Sequence, residues 1–328
     1  MFAAVKADTT LARRASEGDT LFPRWRFGLV MGLAIVLVGT SPVLAQKTLR
    51  WKLQPGNQFQ VNVSEQKNSS VTITGKPVKM TMEMTLETLW KVDSADEKQI
   101  KIIQTVQRLA MKMQTGDSAP ISYDSADKTP PVGTAKDIAA AVKPLLAEGA
   151  AMTVTMDTRG EVLSATPSAK LAELWKTPES KAPGGIGGGT STQELLKRSL
   201  VLLPEKGVTA DDAGKTKWSS EREVGFSIGK VKQSTEFVYG GVVEEEGQKL
   251  DRIDSTSKVT LLPGGTKNLK LTLKSQEQTG HVLFSAEQGR LVSAEQTQKL
   301  VTEAPYRETT ITVTVDSTVK TSISPVKK

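Results

Sequence analysis

Met80-Thr81-Met82-Glu83-Met84-Thr85-Leu86 is the stretch from which the rest of the chain is read. Apolar and polar residues alternate without a break, so Met80, Met82, Met84 and Leu86 fall on one face of a pleated strand. The same period of two recurs in both directions. Phe59, Val61 and Val63 alternate after the turn Pro55-Gly56, and Ile100 and Ile102 open a long run through Val106, Leu109, Met111 and Met113. Met152, Val154 and Met156 follow, and Ile311, Val313 and Val315 come near the end. Strands with one face on a core and one in water read this way, and the abundance of Thr and Val agrees. The expected fold is α+β and mainly antiparallel β: strongly curved sheet or half-barrel architecture, as one sheet or two, covered by short helices.

Three helices are expected between the strands. The first spans 134–147 and carries Ile138, Val142 and Leu145, with Pro144 to end or kink it. The second spans 167–176, with Thr166 as N-cap and Pro167 in the first helical position. The third spans 191–203, opened by Ser191 and Glu194 as a capping box. Residues 178–190 are a Pro/Gly linker, with no strand before them and neither glycine pattern of a phosphate-cradling loop. The expected division is therefore 46–177, a β-rich half with helices; 178–190, the linker; and 191–328, a helix followed by an antiparallel half. The halves echo each other in two hairpin signals, Asp157-Thr158-Arg159-Gly160 and Ala286-Glu287-Gln288-Gly289.

Residues 1–45 are set apart. Arg24 and Arg26 precede the apolar run Phe27–Leu44, which ends in Val43-Leu44-Ala45. A basic n-region, an apolar h-region and a small-residue site make an export signal cleaved after Ala45, with the periplasm or the exterior as destination. The stretch is close to the shortest length that spans a bilayer, and its glycines weaken it as an anchor. No stable membrane span is expected after cleavage. The residues ahead of Pro23 resemble upstream coding sequence included by an early start.

Composition excludes much chemistry. There is no cysteine, so disulfides, thiolate metal sites and thiol nucleophiles are absent. A single histidine, His281, removes multi-histidine metal sites, and no G-x-S-x-G elbow accompanies it. The net charge of +7 comes from interspersed residues, and no basic block or aromatic-basic motif points to nucleic acid. Asp211 with Asp212, Glu244 to Glu246, and Asp251 with Asp254 are the carboxylate groups that a hydrolase could use, all in turn-like contexts. No cofactor motif is present. Trp51, Trp90, Trp175 and Trp218 are spread along the chain, as packing anchors are.

Methionine carries the specific signal. Beyond residue 45, all seven methionines lie between Met80 and Met156: Met80, Met82, Met84, Met111, Met113, Met152 and Met156. A flexible thioether face suits a pliable lining for a lipophilic ligand or partner, and equally the inner face of a sheet packed on the first helix. The expected function is non-enzymatic: an exported protein binding a lipophilic or envelope-derived ligand in an apolar groove. The alternatives are a structural or interaction module of the cell envelope, partnered by another envelope protein, and a carboxylate hydrolase.

Leu49-Arg50-Trp51-Lys52-Leu53-Gln54-Pro55-Gly56 after the leader, with Leu202-Leu203-Pro204-Glu205-Lys206-Gly207-Val208 leading into Gly214 and Trp218, resembles an uncharacterised family of exported planctomycete-type bacterial proteins. That resemblance implies export and no particular activity. The pattern is also distantly similar to lipoprotein-carrier-like β half-barrels, which implies a curved sheet holding acyl chains beneath helices.

Overall fold

The computed structural model describes residues 46–176, 200–226, 229–262, 271–306 and 309–326. The export signal and the linker at 178–190 lie outside them. Twelve strands follow in chain order: β1 (Gln58–Ile73), β2 (Lys76–Ala95), β3 (Gln99–Thr115), β4 (Ile121–Asp124), β5 (Met152–Asp157), β6 (Val162–Pro167), β7 (Lys217–Phe226), β8 (Gly229–Glu245), β9 (Gln248–Leu261), β10 (Thr272–Ser285), β11 (Arg290–Tyr306) and β12 (Thr309–Pro325). Two helices, α1 (Thr134–Leu146) and α2 (Ala169–Leu174), sit between β4 and β5 and after β6.

All twelve strands belong to one unclosed antiparallel sheet, ordered β6-β5-β3-β2-β1-β12-β11-β10-β9-β8-β7, with β4 paired to β3. Each half is a meander that folds from neighbour to neighbour. The halves meet where β1 pairs with β12 over the whole span from Phe59↔Pro325 to Ile73↔Ile311. The centre of the sheet is thus made from strands near opposite ends of the chain.

The alternating pattern of the sequence becomes a set of cross-strand rows. Met82 lies opposite Met113, Met84 opposite Met111, and Leu86 opposite Leu109. Residues directly opposite in an antiparallel pair share a face. The spacing in β3 changes from Ile100 and Ile102 to Leu109 and Met111 because of a bulge: Thr88 pairs with Val106, but Glu87 pairs with Arg108. One extra residue returns the apolar side chains to the core side.

α1 ends two residues after the buried Pro144, as that residue's lost N–H dictates. The second helix is shorter than 167–176. Pro167 is the last residue of β6, opposite Met152, and Ser168 is the N-cap, its Oγ accepting from Leu171 N. The reason is local: Ser168 also ties its backbone N–H and Oγ to Ala151 O and Gly149 O, which holds the chain extended up to the cap. Most of the expected third helix lies outside the described residues. Its final part, 200–203, is not helical, because these residues bond to distant segments instead: Leu203 N donates to Arg159 O, and Leu202 O accepts from the Trp218 indole.

Those residues belong to one of two extended straps, at 46–57 and 200–209. They meet in an antiparallel bridge, Lys47↔Val208. Arg50 extends across it to donate to Pro204 O and Glu205 O, both at 2.7 Å. Leu49, Trp51 and Leu53 from one strap and Leu200 to Leu203 from the other join Phe59, Val61, Trp90, Ile100, Ile102, Phe284 and Leu291 in one hydrophobic core. The two hairpin turns that echo each other in sequence clamp the first strap. Trp51 N donates to Thr158 O and Lys52 N to Gly289 O, each at 2.8 Å. Gly160 is required by both conformation and space: its φ is +91°, and a Cβ there would stand 2.4 Å from Val201 O and 2.6 Å from the Trp51 indole nitrogen.

Candidate functional site

The methionines form a gradient. Met84, Met111, Met152 and Met156 are buried in the core. Met82 and Met113 are half-buried and pack against it. Met80, at the far end of the ladder, is 39% exposed, beside exposed Val78 and Ile73. β4 extends two of these rows by one strand: Ile121 lies opposite Met113, and Tyr123 opposite Met111. Burial pushes the Tyr123 hydroxyl pKa up, with nearby Asp124 adding to it.

Beside β4, a cleft of about 480 Å³ opens between that strand, the segment 125–132 and α1. Ile121, Tyr123, Val132, Ala135 and Ala139 supply apolar wall, and Asp124, Asp127 and Ser125 a polar rim. The rim is fixed. Arg108 donates to Asp124 through Nε and Nη2 and to Glu87 through Nη1. These bonds hold the Asp124 carboxyl below its ordinary pKa. The loop is shaped by Asx turns, in which Asp124 accepts from Ala126 N and Asp127 from Thr129 N. The structure therefore brings Met82, Met113, Met84 and Met111 to the rows that lead into the cleft. Met152 and Met156 are placed below them, opposite Gln104 and Ile100 on β3. Neither β4 nor its cleft was legible as a site, because four residues give too little alternation to read.

Three of the candidate carboxylates, Asp212, Asp251 and Asp254, are held by partners of their own. Asp212 closes a capping box with Thr209 at a single 3-10 turn, Ala210–Asp212. Asp251 is buried, accepts from the Tyr239 hydroxyl at 2.8 Å, and pairs with Lys47 of the first strap. Burial first, and Asp251 second, push the Tyr239 pKa up. Asp254 pairs with Arg252 at 2.8 Å. His281 lies opposite Asp254 on one side and Glu295 on the other. It shares a cleft of about 350 Å³ with Ser64, Ser293 and Ser322. Among the described residues it makes no hydrogen bond to a serine, and no group of three or more metal-ligating side chains is assembled.

No family model matches this chain, and no curated protein does, so the family resemblance drawn from the sequence finds no support there. Solved structures similar to it include lipovitellin, described for its lipid–protein interactions, at 12% identity and a TM-score of 0.46. That match covers 84% of this chain but only 26% of lipovitellin. A protein with a YmcC-like fold from Bacteroides fragilis is 9% identical with a TM-score of 0.26, covering 86% of this chain and 100% of the other. An outer membrane channel from Pseudomonas putida F1 is 8% identical with a TM-score of 0.22, covering 84% and 97%. Likenesses this distant carry no argument about function. Among the described residues, no helix is long and apolar enough to cross a membrane.

Proposed function

We propose that this is a non-enzymatic exported protein that holds a lipophilic molecule of the cell envelope in the cleft between β4 and α1, on the rows that lead to the Met ladder. One observation carries the reading: the cleft of about 480 Å³ is walled by Ile121 and Tyr123, which are the cross-strand partners of Met113 and Met111. Its size falls in the usual range for small-molecule sites, and Ser122, Asp124, Ser125, Asp127, Thr129 and Thr134 set a polar side against the apolar wall, as the head and tail of an amphiphile require. Met113 and Met82 lie one and two strands behind the wall, half-buried, and their flexible side chains let Ile121 shift to fit chains of different shape. The export signal ending at Ala45 supplies the compartment in which such a ligand would be met.

The test is native mass spectrometry of protein expressed with its leader intact. The expected result is an N-terminus at Gln46 and a population of amphiphile-bound protein, with occupancy falling about tenfold in Ile121→Glu, since a charge on the apolar part of the wall disfavours the bound state by about 1.4 kcal/mol. Protein that neither carries nor takes up any amphiphile would end this reading.

A further inference from the structure

We propose that Arg290 forms a binding site for an oxyanion, carboxylate or phosphate, at the strap end of the sheet. Arg290 opens β11 directly after the turn that Gly289 holds under Lys52, and its side chain is 7% exposed. The β11–β12 ladder reaches Ser293↔Ser322 and stops, so the two strands part beyond it. The guanidinium fills the gap. Its Nη1 donates to Leu291 O and to Ile323 O, which uses both hydrogens of that nitrogen. Nε and Nη2 retain three N–H donors with no protein acceptor among the described residues.

These free donors are not sealed in. Nε and Nη2 are not among the buried nitrogens that lack a partner, as the Trp51 and Trp90 indoles are, so they reach open space. That space is a cleft of about 530 Å³ lined by Gly56, Asn57, Gln58, Phe59, Gln288, Arg290, Pro325 and Val326. Arg290 is the only charged residue in this lining. Two carbonyls can be satisfied by any neutral donor, so they do not account for a guanidinium. A largely buried charge with no counter-charge among the described residues is costly, and an anion taking up its free donors offsets that cost. The planar fork left after Nη1 is anchored matches the two oxygens of a carboxylate or phosphate. Gln58 and Gln288 are exposed on the rim, where their amides can add donors. Burial lowers the Arg290 pKa.

This site is separate from the β4–α1 cleft and does not rest on the lipophilic reading. The experiment titrates the full chain with inorganic phosphate, with hexanoate, and with hexanol as the uncharged counterpart, following the Arg290 Nε–H resonance by NMR. A saturable shift with phosphate or hexanoate, and none with hexanol, is the expected result. Preference for phosphate identifies a free anion, and preference for hexanoate the head of an amphiphile. Arg290→Gln is expected to weaken either anion at least about tenfold, while Ile121→Glu, in the other cleft, leaves it unchanged. The proposal is overturned if neither anion moves the wild-type resonance, or if a folded Arg290→Gln binds as the wild type does. Should Arg290→Gln unfold, the wild-type titration decides alone.

Discussion

One row of side chains crosses the whole sheet and changes character at its centre. On the N-terminal side it reads Ile121, Met113, Met82; past Lys67 it reads Ser317, Gln298, Gln278. Thr235 and Ser257, hydrogen-bonded at 2.8 Å, continue the polar character on β8 and β9. The two halves are built by the same neighbour-to-neighbour meander, yet along this row one half carries apolar side chains and the other buries Ser317 and Gln278. Topology therefore does not set the ligand chemistry of a sheet; the residues on its alternating positions do.

The two halves share one clamp, and breaking it should produce the largest effect. Gly160→Ala and Gly289→Ala each force a Cβ into the first strap or its neighbour, at a positive φ. Each is expected to cost about 3–5 kcal/mol, from strain and overpacking together. Gly247→Ala also has positive φ but meets nothing within 4 Å, so it should cost only about 1 kcal/mol. Urea denaturation of the three variants checks this. Equal losses in all three would remove the strap from the account.

The contrast between the halves is sharpened by exchanging their side chains. Met84→Gln puts an amide into the packed end of the ladder and is expected to cost about 2–3 kcal/mol. Gln278→Met should leave stability within about 1 kcal/mol of wild type, because Gln278 Oε1 is buried without a partner and its removal costs nothing in lost bonds. Similar losses at both positions would show that the polar row is as tightly specified as the apolar one.

A smaller effect should appear only at high pH. Tyr239 has its pKa raised above the ordinary 10.0 by burial and by Asp251. A raised pKa favours the protonated hydroxyl in the folded state. Its contribution is therefore complete below the unfolded value and disappears as pH climbs through the folded one. Tyr239→Phe should be modestly less stable at neutral pH, by about 1 kcal/mol. It should also lose less than the wild type when the pH is raised past 10, measured by thermal denaturation. The smallest change is expected from Arg108→Ala, whose carboxylate partners lie at the surface; its denaturation midpoint should stay close to wild type at high salt.

Much of the sheet was legible because the alternation at Met80–Leu86, Phe59–Val63 and Ile311–Val315 has only one periodicity. The shared face of the methionines followed from the same count. The straps were not legible. Leu49, Trp51 and Leu53 alternate as a strand would, but their partners are turns near Gly160 and Gly289, far away in sequence. Leu200 to Leu203 carry helical composition, and tertiary bonds to Arg159 and Trp218 hold them extended. Pro167 was read as a helix start from local preference, whereas Ser168 had the stronger claim through its side-chain bonds. Arg290 gave no signal: a charged residue after a hairpin turn reads as solvent-facing, and only the parting of β11 from β12 explains its burial.

The seam between β1 and β12 has a consequence for biogenesis. A chain made from its N-terminus presents β1 with one open edge until β12 arrives, after ten intervening strands. Such an edge invites pairing with other chains. Zippering of this seam comes late and joins residues from distant parts of the sequence, which makes it slow. A holdase that covers the free side of β1 would be most valuable during that interval.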